Sequence, residues 1–158
     1  IIKKTKSLEI EILNFIPFDA AVEVMQIKVR SKDSKKIKIT PTSFIPLYGR
    51  PEKSLRDHRH VTSLLNRISL DRFGIFLKPT MVFDERGHKA NETIYFVWGF
   101  EGSGCPPIGQ FPTLDYFYGE GNIISPDAIE KNVLPVSSSP RRRGRVNKKL
   151  SEFDGKEV

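Results

Sequence analysis

Apolar and polar residues alternate along much of the N-terminal half of the chain. In "LEIEILNF", Leu8, Ile10 and Ile12 fall on one side, and Glu9 and Glu11 on the other. "AVEVMQIKVR" repeats the device with Val22 and Val24, then slips by one residue so that Met25, Ile27 and Val29 carry the apolar phase onward. "KKIKITPTSFIPLY" sets Ile37 and Ile39 against Lys38 and Thr40. A period of two marks strands with one face on a core. "FGIFLKPTMVF" and "ETIYFVWGF" predict two further strands, rich in the aromatic and β-branched residues that suit a pleated surface.

The punctuation predicts antiparallel connections. "RSKDSKK" reads as a polar turn between strands and "DRFG" as a tight reversal before Ile75. Prolines 41, 46 and 79 inside apparent strands point to edges or bulges. Only "PTLDYFYGEG" and "SPDAIEKN" begin like helices, at Pro112 and at Ser125–Pro126, and both should be short. The expected fold is an all-β, antiparallel β-sandwich with one or two short helices. It should occupy residues 1–135, followed by a Ser/Pro/Arg-rich basic loop over 136–149 and the start of a further strand of the same sandwich over 150–158. A strand-like stretch at the very start and an apolar residue at the very end suggest a sandwich truncated at both ends, since natural sheets avoid bare edges.

Composition narrows the class. With 158 residues, 38% hydrophobic and 28% charged, the chain suits a globular domain rather than a disordered one. No apolar run approaches the roughly 20 residues that span a bilayer. "IIKKTKSLEIEIL" has no signal-like apolar region, and Cys105, a lone cysteine, excludes an internal disulfide; both favour a cytoplasmic location. The net charge of +7 comes largely from "PRRRGRVNKK", where Arg141, Arg142, Arg143, Arg145, Lys148 and Lys149 stand without an acid. Subtracting those six from +7 leaves +1, so the rest of the chain is nearly neutral. Such a run is read as a solvated loop, and with no aromatic residue inside it to stack a base, nucleic acid is not an expected partner.

Four clusters could carry chemistry. In "RDHRH" an extended backbone would turn Arg56, His58 and His60 one way and Asp57 and Arg59 the other. Two histidines fall short of the three or four ligands a zinc site needs, so no metal is expected. Anion binding by Arg56 and Arg59 suits guanidinium geometry, and internal pairing of Asp57 at a strand entry is the simpler reading. "FDERGHKANE" gathers Asp84, Glu85, Arg86 and His88, but its turn composition favours solvated carboxylates over an acid–base pair. Asn91-Glu92-Thr93 is a formal glycosylation sequon and carries no weight here. Trp98, Tyr95, Phe96, Phe111, Tyr116, Phe117 and Tyr118 form an aromatic set suited to a core or to stacking on sugar rings. Successive aromatics at 116, 117 and 118 must face different ways, so one or two should reach a surface or ligand.

"FIPFDAAVEVMQIKV", "ITPTSFIPLYGR", "LRDHRHVTSLLNRI", "KPTMVFDERGHKANETIYFVWGF" and "PIGQFPTLDYFYGEG" together resemble the N-terminal, supersandwich-like region of glycoside hydrolase family 94 phosphorylases, most of all the 1,2-β-oligoglucan phosphorylase type. The resemblance covers residues 8 to 135, and the basic run departs from it. It implies phosphorolysis: inorganic phosphate attacks the anomeric carbon of a terminal β-linked glucose and releases α-glucose 1-phosphate with inversion. The general acid of that family belongs to an (α/α)-barrel domain that follows the sandwich. This chain has no series of amphipathic helices, so none of Asp57, Asp84 and Asp115 is assigned as the acid, and no catalytic residue or cofactor is expected. The implied partners are the barrel domain, a second copy in a homodimer, and a β-glucan oligosaccharide. The residues expected to meet substrate or a domain interface are Arg50, Arg56, Asp57, His58, Arg59 and His60 in one loop, Arg86 and His88 in another, and Tyr116 and Tyr118. Two other readings compete: an independent carbohydrate-binding sandwich, and a basic nucleic-acid-binding module dependent on residues 140–149.

Overall fold

A computed structural model of the protein describes residues 1–34, 36–49, 64–84, 87–133, 135–136 and 156. Among these residues eight strands and two short helices follow in order: β1 Ile2–Lys4, β2 Leu8–Phe15, β3 Val24–Ser31, β4 Asn66–Leu70, β5 Gly74–Pro79, β6 Met81–Asp84, β7 Gly87–Ala90, β8 Tyr95–Trp98, α1 Leu114–Tyr118 and α2 Asp127–Glu130. Every pairing is antiparallel, in sheets ordered β1-β2-β3, β4-β5-β8 and β6-β7. The expected all-β class, with antiparallel sheets and two short helices, is observed and is consistent with a sandwich-like fold. Among the described residues no helix is long and apolar enough to cross a membrane.

The chain divides into two units, Ile1–Ser43 and Phe44–Val158. In the first, the β2–β3 register sets Ile10 opposite Val29 and Ile12 opposite Ile27, on one face. The other face sets Glu9 opposite Arg30 and Glu11 opposite Lys28. Opposite charges facing each other across strands stabilise a sheet by a few tenths of a kcal/mol to about 1 kcal/mol per pair. Glu9 is also bridged by Lys4 at 3.2 Å and Arg30 at 3.8 Å. The register accounts for the one-residue slip in the sequence. Val24 pairs with Phe15 and so belongs to the charged face, whereas Met25, Ile27 and Val29 share the apolar one.

In the second unit β5 is the central strand. Ile68 opposite Leu77, and Leu77 opposite Tyr95, build the inner face. Leu77 is fully buried, and Leu47, Ile75, Tyr95 and Val136 pack against the Ile68–Leu77 pair. The predicted "DRFG" reversal is present: Asp71 Oδ1 accepts from the backbone N–H groups of Phe73 (2.7 Å) and Gly74 (2.8 Å), closing the β4–β5 turn.

Three expected elements come out differently. Residues 36–49 form no strand despite their alternation. Pro41 and Pro46 remove two ladder donors, and among the described residues no strand pairs with the segment. Instead Leu47 covers the core and Phe44 stacks on Phe117, so "RSKDSKK" closes β3 without leading into another strand. "FGIFLKPTMVF" is two strands in different sheets, because Pro79 ends β5 and Thr80 N–H turns to the Leu65 carbonyl. The turn-like "ERGHKANE" contains β7, whose Gly87 sits at φ 115° opposite Asp84.

Burial separates the positions that hold the fold from those that do not. Leu77→Ala removes the side chain at the centre of the core and should cost about 2–5 kcal/mol. Ile27→Ala, at a position 45% exposed, should change stability by less than about 1 kcal/mol. Chemical denaturation of the two variants checks the ordering.

Candidate functional site

Arg50, Arg56, Asp57, His58, Arg59, His60 and Arg86 lie outside the described residues. For His88 the structure describes the backbone, which pairs with Phe83 in the β6–β7 hairpin. Among the described residues no group of three or more His, Cys, Asp or Glu is placed to hold a metal ion. Cys105 is exposed and forms no disulfide. Asp115 is open to water, 4.0 Å from Lys156 Nζ with its side chain 82% exposed. A general acid at neutral pH needs a desolvated carboxyl, and Asp115 offers the opposite setting. Asn91 of the sequon is buried and its Nδ2 donates to the Thr93 carbonyl at 2.6 Å, so the folded protein spends that amide on its own turn.

Tyr116 and Tyr118 belong to a ring cluster rather than an open surface. Thr113 caps α1 by accepting from Tyr116 N–H, which rotates Phe117 inward. Phe117 is buried, stacked on Phe44 at 5.0 Å between ring centroids, with Phe111 edge-on at 5.5 Å and Tyr118 at 5.8 Å. Tyr116 rests on Phe111 at 5.7 Å. Both tyrosines are half-buried. Tyr95 is also a core residue, and burial pushes its phenol above the ordinary value, keeping it neutral.

The loop after α1 is fixed by Asp127. Its Oδ2 accepts from Lys131 Nζ at 2.7 Å and from Glu120 N–H at 3.1 Å. Gly119, at φ 57°, approaches so closely that a Cβ there would sit 2.6 Å from the same oxygen. The Lys131 hydrogen bond holds the Asp127 carboxyl below its ordinary pKa.

The open aromatic surface lies elsewhere, on the outer face of the β4-β5-β8 sheet. Register places Phe76 opposite Phe96, and Gly74 opposite Trp98, on the side away from Leu77. Phe96 is 42% and Trp98 51% exposed. The rings touch one another: Phe96–Trp98 at 5.2 Å, Phe76–Trp98 edge-on at 5.8 Å, Phe76–Phe96 at 6.1 Å and Phe73–Trp98 at 6.3 Å. Arg72 lies over the Phe73 ring, 4.5 Å from its centroid. Gly74 creates the seat for the indole. A Cβ built there would stand 2.7 Å from Trp98 Cδ1 and 1.8 Å from the Val97 carbonyl oxygen. Arg67 and Lys78 face each other across β4 and β5 in the same outer row.

Of the aromatic set named from the sequence, Trp98 and Phe96 are therefore the members that face solvent, while Tyr95, Tyr116, Phe117 and Tyr118 serve packing. Phe76 and Phe73 were missed. The signal for Phe76 was the alternation in "GIFLKP", where Phe76 and Lys78 share one parity and Ile75 and Leu77 the other.

Two outcomes follow from this geometry. Gly74→Val should displace the indole, alter Trp98 emission in the folded protein and destabilise it by about 1–3 kcal/mol. Because the Asp127 pKa is depressed, its contribution to stability is complete above the ordinary carboxylate value of about 4 and is lost as pH falls through the lower folded value. Melting temperature should thus fall more steeply in acid for the wild type than for Asp127→Asn. No protein-family model and no curated protein matches this chain.

Proposed function

We propose that this chain is a non-catalytic sandwich segment of an inverting β-glucan phosphorylase, acting in carbohydrate metabolism in the cytoplasm. The observation that carries the scaffold part of the reading is the imbalance between core and exposed apolar surface. The buried hydrophobics among the described residues are Ile68, Leu77, Phe117 and Ala128, whereas on the apolar face of the first sheet Met25, Ile27 and Val29 are exposed at 38%, 45% and 37% beside half-buried Leu8, Ile10 and Ile12. Contiguous apolar surface of this kind marks a place where another protein surface docks. An (α/α)-barrel domain, or a second copy in a homodimer, is the partner this reading supplies. The reaction itself rests on the motif resemblance over residues 8 to 135. In that reaction phosphate displaces the glucan from the anomeric carbon, while a carboxyl group of the barrel protonates the leaving oxygen.

The reading is tested by phosphate release from α-glucose 1-phosphate with sophorose as acceptor. A longer protein joining this chain to its barrel should be active, and this chain alone silent. Phosphate release by the chain alone would place a general acid within these residues. Inactivity of the joined protein across β-1,2-, β-1,3- and β-1,4-linked acceptors would remove the phosphorylase assignment.

A further inference from the structure

We propose that the outer face of the β4-β5-β8 sheet binds single-stranded nucleic acid, with bases stacking on Trp98 and Phe96 and phosphates meeting cations at both ends of the aromatic strip. The outer row of this sheet consists of Arg67 and Ser69 from β4, Gly74, Phe76 and Lys78 from β5, and Phe96 and Trp98 from β8. No aspartate or glutamate occurs in the sequences of the three strands. Lys78 stands exposed at one end of the strip, opposite Arg67, whose guanidinium donates to the Asn66 carbonyl at 3.0 Å, and Arg72, over Phe73, stands at the other. From Gly74 to Lys78 the strand runs roughly 13 Å at the usual rise per residue. That matches about four nucleotides at the 3.4 Å rise of a stacked strand.

The chemistry of the face selects the partner. Exposed rings accept any flat apolar face, and the flanking cations favour an anion. A neutral glucan would stack equally well, but its hydroxyl groups both donate and accept. Arg, Lys and Trp only donate, which leaves the Ser69 hydroxyl as the one acceptor among the outer-row side chains. A single strand of nucleic acid has a π-face on every base and accepting phosphate oxygens between them. Phe76, Phe96 and Trp98 also touch one another on the strands of a sheet instead of standing out on a loop, as insertion into a lipid surface would require. The positive charge used here is separate from the basic run at 141–149. This inference stands independently of the phosphorylase reading.

Trp98 is the chain's single tryptophan, so its emission reports on this face directly. Oligo(dT) of about 12 nucleotides, within the site sizes of single-strand binders, should quench Trp98 when titrated into the full chain. Phe96→Ala should weaken binding roughly 5- to 100-fold. Lys78→Glu, an exposed substitution that spares the rings, should weaken it too and flatten a salt slope of about −1.4 in log K against log salt for the two cations Lys78 and Arg72. Circular dichroism checks that both variants fold. Absence of quenching would overturn the proposal. So would binding that persists in both variants and disappears on deleting residues 140–149, which would assign the contact to the basic run. Quenching by soluble β-glucan or by phosphatidylserine vesicles that oligo(dT) does not compete away would give the face to a sugar or a membrane instead.

Discussion

The placement of β5 between β4 and β8 is the constraint from which the second unit follows. Leu77 is fully buried, and its neighbours Phe76 and Lys78 must then point outward because successive side chains alternate across a sheet. One register therefore sets two surfaces at once. It brings Ile68 and Tyr95 beside Leu77 as core, and it lines up Phe76, Phe96 and Trp98 as an aromatic strip outside. A slip of one residue would exchange them, burying Lys78 and Phe76 and exposing Leu77. The Asp71 turn, which grips both Phe73 and Gly74 N–H, and the close fit of Gly74 under Trp98 both fix that register at its start.

The two units manage charge in contrasting ways. In β2 and β3 each cation has an acid opposite it, Glu9 with Arg30 and Glu11 with Lys28. Exposed pairs of this sort stabilise weakly, by at most about 1 kcal/mol each, but with Lys4 also on Glu9 they offset most of the charge on that face. In β4 and β5 the directly opposed residues are Arg67 and Lys78, with no acid in either strand. Self-cancelling charge suits a face whose task is to stay in water, and a field of one sign suits a face that meets an anion.

Most of the strand content was legible in the sequence because alternation reports a one-sided environment directly. It misled at residues 36–49, where Ile37 and Ile39 alternate well but Pro41 and Pro46, and the want of a pairing strand among the described residues, deny the segment a ladder. Periodicity describes one strand, and a sheet needs two. The helices were legible from Pro112 and from Ser125–Pro126 at their starts, although the side chain that caps α1 is Thr113. The aromatic site was half legible. Residue type flagged Trp98, Phe96, Tyr116 and Tyr118 alike, and only parity and burial separate the first two from the last two. Adjacent aromatics in a short helix are sorted by a cap hydrogen bond and by Phe44, more than sixty positions upstream, which no local pattern announces.

That separation bears on what the exposed rings mean. Rings that serve a core interlock from several elements, as Phe117 does with Phe44, Phe111 and Tyr118. Those of the outer row come from adjacent strands of one sheet, with Phe73 from the turn that joins two of them, and among the described residues no ring from beyond the sheet stacks on them. Gly74 at the start of that row gives up a side chain that could have shielded the indole, and β-strands disfavour glycine unless something approaches closely there. Here the close approach is Trp98 itself, lowered onto the backbone so that its ring lies with those of Phe96 and Phe76. A Cβ at that position would also meet the Val97 carbonyl oxygen at 1.8 Å, so the β5–β8 pairing behind the Leu77 core needs the glycine as well. The shape of the outer face is served only by glycine, which ties the sequence of β5 to a surface as well as to a core.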